Sequence, residues 1–170
     1  MFKRFYPDRL VDSIYDIDFE ALYNEGKRAV LFDIDNTLVE HDADSNEKVD
    51  AFFVKLHSIG FKTCLISNNE EERVVRFNKN INTDYIYKAG KPLKNGYLAG
   101  ISKLGVTAGE TVFIGDQLFT DIIGAKNAGI DNICVKPIGP DKKTTIKLKR
   151  ILERPIFMSY KHMIKRRTHK

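Results

Sequence analysis

Cysteine is scarce in this 170-residue chain, with Cys64 and Cys134 its whole complement. Two thiols, each set in an apolar strand-like run, exclude a disulfide-built scaffold and point to buried free thiols in a reducing cytosol. Long apolar runs are also missing, and none approaches the roughly 18 residues of a membrane span. The opening Met1-Phe2-Lys3-Arg4-Phe5-Tyr6-Pro7 has neither the apolar stretch nor the small-residue cleavage site of a secretory leader, so the expected location is cytoplasmic. There is no internal repeat and no low-complexity stretch, and the length leaves room for one domain but not for two of ordinary size.

What is present is 42% hydrophobic and 30% charged, which suits a soluble globular protein. The charge is uneven. Residues 1–135 hold 16 Lys+Arg against 21 Asp+Glu, a net of −5, whereas residues 136–170 hold 12 against 2, a net of +10. An acidic body with a basic tail suggests an anionic partner for the tail.

Short apolar runs alternate with helical stretches. Ala29-Val30-Leu31-Phe32, Thr63-Cys64-Leu65-Ile66, Tyr85-Ile86-Tyr87, Thr111-Val112-Phe113-Ile114 and Ile130 to Val135 read as strands. Between them, Val49, Phe52, Phe53, Leu56 and Ile59 fall at helical spacing over residues 47–59 with Gly60 as a stop, and further helices are predicted at about 70–80, 93–104 and 119–128. The alternation predicts an α/β fold: a three-layer, doubly wound, Rossmann-like parallel sheet with its core over about residues 26–138 and a basic tail at 139–170. Such a topology brings every strand's carboxyl end to one edge, where ligands bind.

Polar residues follow those strands. Asp33 and Asp35 alternate on an extended chain, so both can address one small volume. Two carboxylates that close repel unless a cation neutralises them or one holds a proton. Both remedies suit phosphoryl transfer: Mg²⁺ bridging Asp33 and a phosphate, and a protonated Asp35 donating to the leaving oxygen. The plainer reading is a solvated acidic turn. Ser67 and Asn68 would offer a hydroxyl and N–H groups to a phosphoryl oxygen, or Ser67 would serve only as a helix cap. Lys91 before Pro92 would neutralise charge between Asp33 and the phosphate, with Lys88 as the alternative. Gly115 permits an unusual turn before Asp116, which would face the metal, while Asp121 would support the metal or cap a helix.

In that order, D-x-D-x-T, Ser-Asn, Lys-Pro and G-D-x-x-x-x-D resemble the haloacid dehalogenase superfamily of phosphatases over roughly residues 28–130. The resemblance implies that Asp33 forms an aspartyl-phosphate and that Asp35 acts as general acid, then as base for water. It implies Mg²⁺ held by Asp33, the Asp35 backbone carbonyl and Asp116, a phosphoryl group bound by Ser67 and Lys91, and support from Thr37 and Asp121. A narrower resemblance, covering nearly the whole chain, is to the YqeG-type subgroup, relatives of phosphatidylglycerophosphate phosphatases. It is carried by Tyr15-Asp16-Ile17-Asp18, Phe32 to Leu38, Ser67-Asn68-Asn69, Gly115-Asp116-Gln117, Thr120-Asp121-Ile122 and Arg154-Pro155. That subgroup implies phosphatidylglycerophosphate as the favoured substrate; another soluble or macromolecular phosphate monoester is the alternative.

Asp35 and Ser67 are 32 residues apart and Ser67 and Lys91 are 24 apart, so neither gap holds an inserted cap domain and the site is expected to be open. After Pro155, Ile156, Phe157, Tyr160, Met163 and Ile164 fall at helical spacing with Lys161, Lys165, Arg166 and Arg167 interleaved. This predicts a short amphipathic basic helix for an anionic membrane surface, with Phe2, Phe5 and Tyr6 beside Lys3 and Arg4 as a second foothold. The alternatives are that these aromatics pack on the body, or that the tail makes a non-catalytic scaffold's contact with RNA, for which no RNA-binding aromatic signature is present.

Overall fold

The computed structural model describes residues 2–142 and 144–168; the side chains of Arg167 and Thr168 lie outside them. Six parallel strands form one sheet: β1 (Arg9–Val11), β2 (Ala29–Phe32), β3 (Lys62–Ile66), β4 (Asp84–Ile86), β5 (Thr111–Gly115) and β6 (Asp131–Val135), in the order β1-β6-β5-β2-β3-β4. Beginning at β2 the chain winds outward through β3 and β4, then returns past β2 to build β5 and β6. The winding therefore reverses between β2 and β5, where Phe32 lies beside Ile114 and the Asp33 N–H donates to the Ile114 carbonyl at 2.9 Å. A crevice opens beyond the carboxyl ends of two strands at such a reversal.

β2 is buried throughout because both of its faces are covered, so an unbroken apolar run fits it better than an alternating one. Val30 and Phe32 face α2 (Glu47–Ile59) and α3 (Glu71–Asn78), in a core that contains Phe53, Leu56, Val74 and Phe77. Ala29 and Leu31 face α4 (Lys94–Leu104) and α5 (Ile123–Asn127), packing with Tyr97, Ile101, Phe113 and Ala125. These are the three expected layers. α2 has the predicted bounds because Asn46 accepts the Val49 N–H at 3.1 Å at its start and Gly60 ends it with φ of 109°. Cys64 and Cys134 are free and buried, and burial pushes the Cys64 thiol up to about 12.

Several elements differ from expectation. α1 (Phe19–Asn24) and β1 precede the first anticipated strand. β1 is tied at the sheet edge by Asp8, which accepts the Asn132 backbone N–H at 3.0 Å and its side-chain amide at 2.6 Å. The helix expected over 119–128 is a π-helical turn, Leu118–Ile122, followed by α5. The largest departure is α6 (Thr144–Thr168), a single 25-residue helix that runs through Pro155 rather than starting after it. Proline removes one ladder hydrogen bond and opposes the turn before it. Here the helix is anchored on both sides of Pro155, by Glu153 and by Ile156, both buried. Ile156 and Tyr160 are turned inward, the Tyr6 ring meets that of Tyr160 at 5.4 Å, and the Tyr6 and Ser159 hydroxyls lie 2.6 Å apart. Of the residues expected to face a membrane, Ile156 and Tyr160 thus pack on the body, because the chain's first segment supplies them an apolar partner.

Phe53 is buried between α2 and the sheet, with its ring 5.3 Å from that of Phe32. Phe53→Ala is expected to cost about 3–5 kcal/mol, read as a lower urea midpoint at unchanged slope; a loss below about 1 kcal/mol would show that this layer does not hold the sheet.

Candidate active site

The turn after β2 forms the site's floor. Asn36 takes a left-handed conformation, φ 64°, and the Leu38 N–H returns to the Ile34 carbonyl at 2.9 Å. This reversal carries the Thr37 hydroxyl back to Asp33 Oδ2 at 3.3 Å and to Asp116 Oδ1 at 3.4 Å. Asp116 follows β5, and the chain beyond it is folded over Asp121, whose Oδ2 accepts the N–H groups of Asp116 (3.2 Å) and Gln117 (3.0 Å). A Cβ on Gly115 would lie 2.6 Å from the Asp121 carboxyl carbon, so only glycine admits this packing. Tyr97, fully buried, donates its hydroxyl toward the Thr120 and Asp121 carbonyls from below.

Lys91 enters from the loop after β4. Its buried ammonium donates to Asp33 Oδ1 at 2.5 Å and to Asp121 Oδ1 at 2.7 Å. Asn68 holds the Lys91 backbone at both ends, accepting its N–H at 2.8 Å and donating to its carbonyl at 3.1 Å. The Asn68 side chain therefore fixes the backbone that carries the lysine. Lys88 is exposed and pairs with Glu70 at 2.8 Å, so of the two candidate lysines Lys91 is the one at the site. Ser67 is buried and accepts the Asn69 N–H at 3.2 Å, which makes it both a turn cap and a cavity residue. A cavity of about 200 Å³ is lined by Asp33, Asp35, His41, Ser67, Asn68, Asn69, Lys91, Gln117, Thr120, Ile146 and Lys149.

The electrostatics follow from burial. Burial foremost, with Asp121 and Asp35 adding repulsion and Lys91 opposing, raises the Asp33 carboxyl to about 7. Burial and then Asp121 also drive Asp116 well above the usual carboxylate range, against the pull of Arg150. For Lys91 burial works against the charge, but Asp121 and Asp33 outweigh it and keep the ammonium charged. Asp35 goes the other way: burial would raise it, yet hydrogen bonds from the Asp42 N–H (3.0 Å), Arg73 (2.9 Å) and Asn69 (2.7 Å) hold it below the ordinary range.

Asp33, Asp116 and Asp121 offer oxygens within 4.8 Å of one another. With the Thr37 hydroxyl they make an all-oxygen, acidic donor set, which fits a hard divalent cation. Asp33, Asp116 and Asp121 thus lie together, while Asp35 lines the adjoining cavity with Ser67, Asn68 and Lys91 and is not part of that oxygen cluster.

The family model of haloacid dehalogenase-like hydrolases matches residues 43–129. Over 163 residues, 95% of each chain, the sequence is 32% identical to the "Probable phosphatase YqeG" of Bacillus subtilis (strain 168). The chain belongs to the haloacid dehalogenase-like hydrolases. The fold agrees. A haloacid dehalogenase phosphatase from Thermococcus onnurineus superposes with a TM-score of 0.54 at 17% identity, covering 74% of this chain and 97% of that one. The cobalt-bound deoxy-D-mannose-octulosonate 8-phosphate phosphatase (YrbI) of Haemophilus influenzae gives 0.50 at 17% identity, covering 80% and 90%.

As expected of a capless member of this family, a single helix separates β2 from β3 and another separates β3 from β4. The site is nevertheless walled on one side, because Ile146 and Lys149 of α6 line its cavity. Sequence reading missed this wall. It also missed Arg73, and it missed Arg150, which pairs with Asp116, Asp141 (3.0 Å) and Glu153 (3.2 Å). A signal was present: Asp141 and Glu153 are the two acidic residues of residues 136–170, and both pair with Arg150.

Because the folded state binds the Asp33 proton more tightly than the unfolded chain, the metal-free protein loses stability as pH rises from about 4 toward about 7. A divalent cation competes with that proton and stabilises most where the proton is already gone. Thermal melts with and without Mg²⁺ should show a larger gain in Tm at about pH 7.5 than at about pH 5. Equal gains at both would refute this coupling.

Proposed function

We propose that this protein is a Mg²⁺-dependent phosphate monoester hydrolase that works through an aspartyl-phosphate on Asp33, with phosphatidylglycerophosphate at the membrane surface as its favoured substrate. The chemical part rests on one observation: Asp33, Ser67 and Lys91, from three different strand ends, line one cavity together with Asp35. Resemblance to a probable phosphatase over nearly the whole chain supports the same reaction class.

Asp33 attacks phosphorus from the cavity floor, while Lys91 and Ser67 hold the phosphoryl oxygens and offset their charge. Asp33, Asp116 and the Asp35 backbone carbonyl would hold Mg²⁺, with Thr37 and Asp121 in support, and the ion would supply charge neutralisation for the phosphoryl group. Asp35 gives a proton to the leaving oxygen, then takes one from the water that opens the aspartyl-phosphate. The grip of Arg73 and Asn69 holds Asp35 in its ionised, base form. Delivering a proton in the first step requires that carboxyl to leave Arg73 and become protonated.

The lipid part is supported by the surface of α6. Leu148, Ile151 and Met158 are more than half exposed and fall on the side of the helix away from buried Glu153, Ile156 and Tyr160, with Leu152, also more than half exposed, at the edge between the two faces. Lys147, Arg154 and Lys161 run beside them at seven-residue spacing. An apolar stripe edged by cations suits an anionic membrane surface, each cation contributing about 1 kcal/mol. Beneath it an apolar cavity of about 440 Å³, bounded by Leu10, Val135, Pro137, Phe157 and Met158, reaches Asp116 and Arg150. No helix among the described residues is long and apolar enough to cross a membrane, so contact would be peripheral.

Phosphate release from a generic aryl phosphate tests the chemistry. The wild type should be Mg²⁺-dependent, Asp33→Asn inert, and Asp35→Asn slower by about 10²-fold or more with Mg²⁺ binding retained. Equal inertness of wild type and Asp33→Asn would favour a non-catalytic scaffold. For the membrane, Leu148→Gln with Ile151→Gln and Leu152→Gln should lower binding to anionic vesicles and hydrolysis of phosphatidylglycerophosphate in them, while sparing the soluble ester. Unchanged vesicle binding would remove the lipid surface from the reading.

A further inference from the structure

We propose that Arg150 is a positioning residue of the cation site, so that the site is completed by a side chain of α6 rather than by an inserted cap domain. This rests on the reading that Asp33 and Asp116 hold a divalent cation.

Asp116 has two carboxylate oxygens with different surroundings. Oδ1 is on the side of the acidic cluster, 3.4 Å from the Thr37 hydroxyl that also reaches Asp33 Oδ2. Oδ2 faces away and accepts from Arg150 Nη2, while Arg150 Nη1 donates to the backbone carbonyl of the same Asp116 at 2.6 Å. One guanidinium thus grips both the side chain and the main chain of a single residue. Rotating Asp116 would break a charge-assisted hydrogen bond in a buried place. The grip fixes the carboxylate's orientation and presents Oδ1 alone to the cation.

A cation beside a cation site would ordinarily repel its ligand. Here Arg150 is already surrounded by carboxylates: its Nε donates to Asp141 Oδ2 at 3.0 Å and its Nη1 to Glu153 Oε2 at 3.2 Å. Its charge is offset before any metal arrives, and its gain is in orientation. The two partners also tie Arg150 to both loops of the site. Asp141 Oδ1 accepts the Asn36 amide at 3.0 Å, next to Asp35. Glu153 Oε1 accepts the Leu118 N–H at 2.7 Å, in the turn that follows Asp116. A planar fork with donors on three sides meets these demands, and a lysine's single ammonium does not.

A merely structural ion pair would change stability and leave cation affinity alone. Calorimetric titration of Mg²⁺ into the full chain, without substrate and at about pH 7.5, separates the two. Arg150→Met is expected to raise the Mg²⁺ Kd by about 10–100-fold, the range for partners that orient metal ligands, and Arg150→Lys by less, because an ammonium keeps one of the two contacts. Circular dichroism melts confirm which variants are folded; should Arg150→Met not fold, Arg150→Lys carries the test with a weaker but measurable loss. A Kd within twofold of wild type in a folded variant overturns the proposal, and so does tighter binding, which would make Arg150 a competitor of the cation. A wild type that binds no Mg²⁺ overturns the metal-site reading itself, and the role of Arg150 with it.

Discussion

Three carboxylates shielded from water, with oxygens within 4.8 Å of one another, are the constraint around which this molecule is arranged. Two like charges about 4 Å apart repel by about 4 kcal/mol even at an effective dielectric of about 20. Each of the three is answered locally. Lys91 lies between Asp33 and Asp121, Thr37 bridges Asp33 and Asp116, and two backbone N–H groups point at Asp121. Arg150 takes the outer oxygen of Asp116. What remains is a site in which protons, a cation or a phosphoryl group's partners compete for the same negative charge.

The rigid part of the fold exists to keep that charge together. β2 and β5 are buried along their whole length and adjoin at the reversal of winding, so Asp33 and Asp116 emerge from neighbouring, buried strand ends. Gly115 and Tyr97 act at the same place, one by lacking a side chain where Asp121 presses and the other by fixing two carbonyls of the π-helical turn. Asp35 sits beyond the strand, next to left-handed Asn36, and accepts three hydrogen bonds from the Asp42 N–H, Asn69 and Arg73. Two acidic residues with only Ile34 between them therefore have different supports, one at a buried strand end and the other on the turn that follows it.

Asp33, Asp116 and Lys91 were legible because each follows an apolar run whose strand character is local. The bounds of α2 were legible for the same reason, since Asn46 and Gly60 act within a turn of the helix they delimit. β1 escaped because three residues, Arg9-Leu10-Val11, carry too little periodicity to separate a strand from a loop. α6 was misjudged because Pro155 is a local obstacle while the contacts that outweigh it, Glu153 to Leu118 and Tyr6 to Tyr160, join distant segments. Arg150 was overlooked on similar grounds: Asp141 and Glu153 hint at a paired cation in the tail, but nothing near position 150 names Asp116 as its partner. The hydrogen bonds of Asn68 to the backbone of Lys91 join segments 23 residues apart, so they too had no local signal.

The attachment of β1 bears on the order in which the molecule assembles. Asp8 and Asn132 are 124 residues apart in sequence, and their hydrogen bonds align β1 against β6. Closing so long a loop is entropically costly until the strands between have already met. Loop closure therefore favours the central pairs, β2 with β3 and β5, before the attachment of β1 at the sheet edge. The earliest strand in the chain is among the last to find its place.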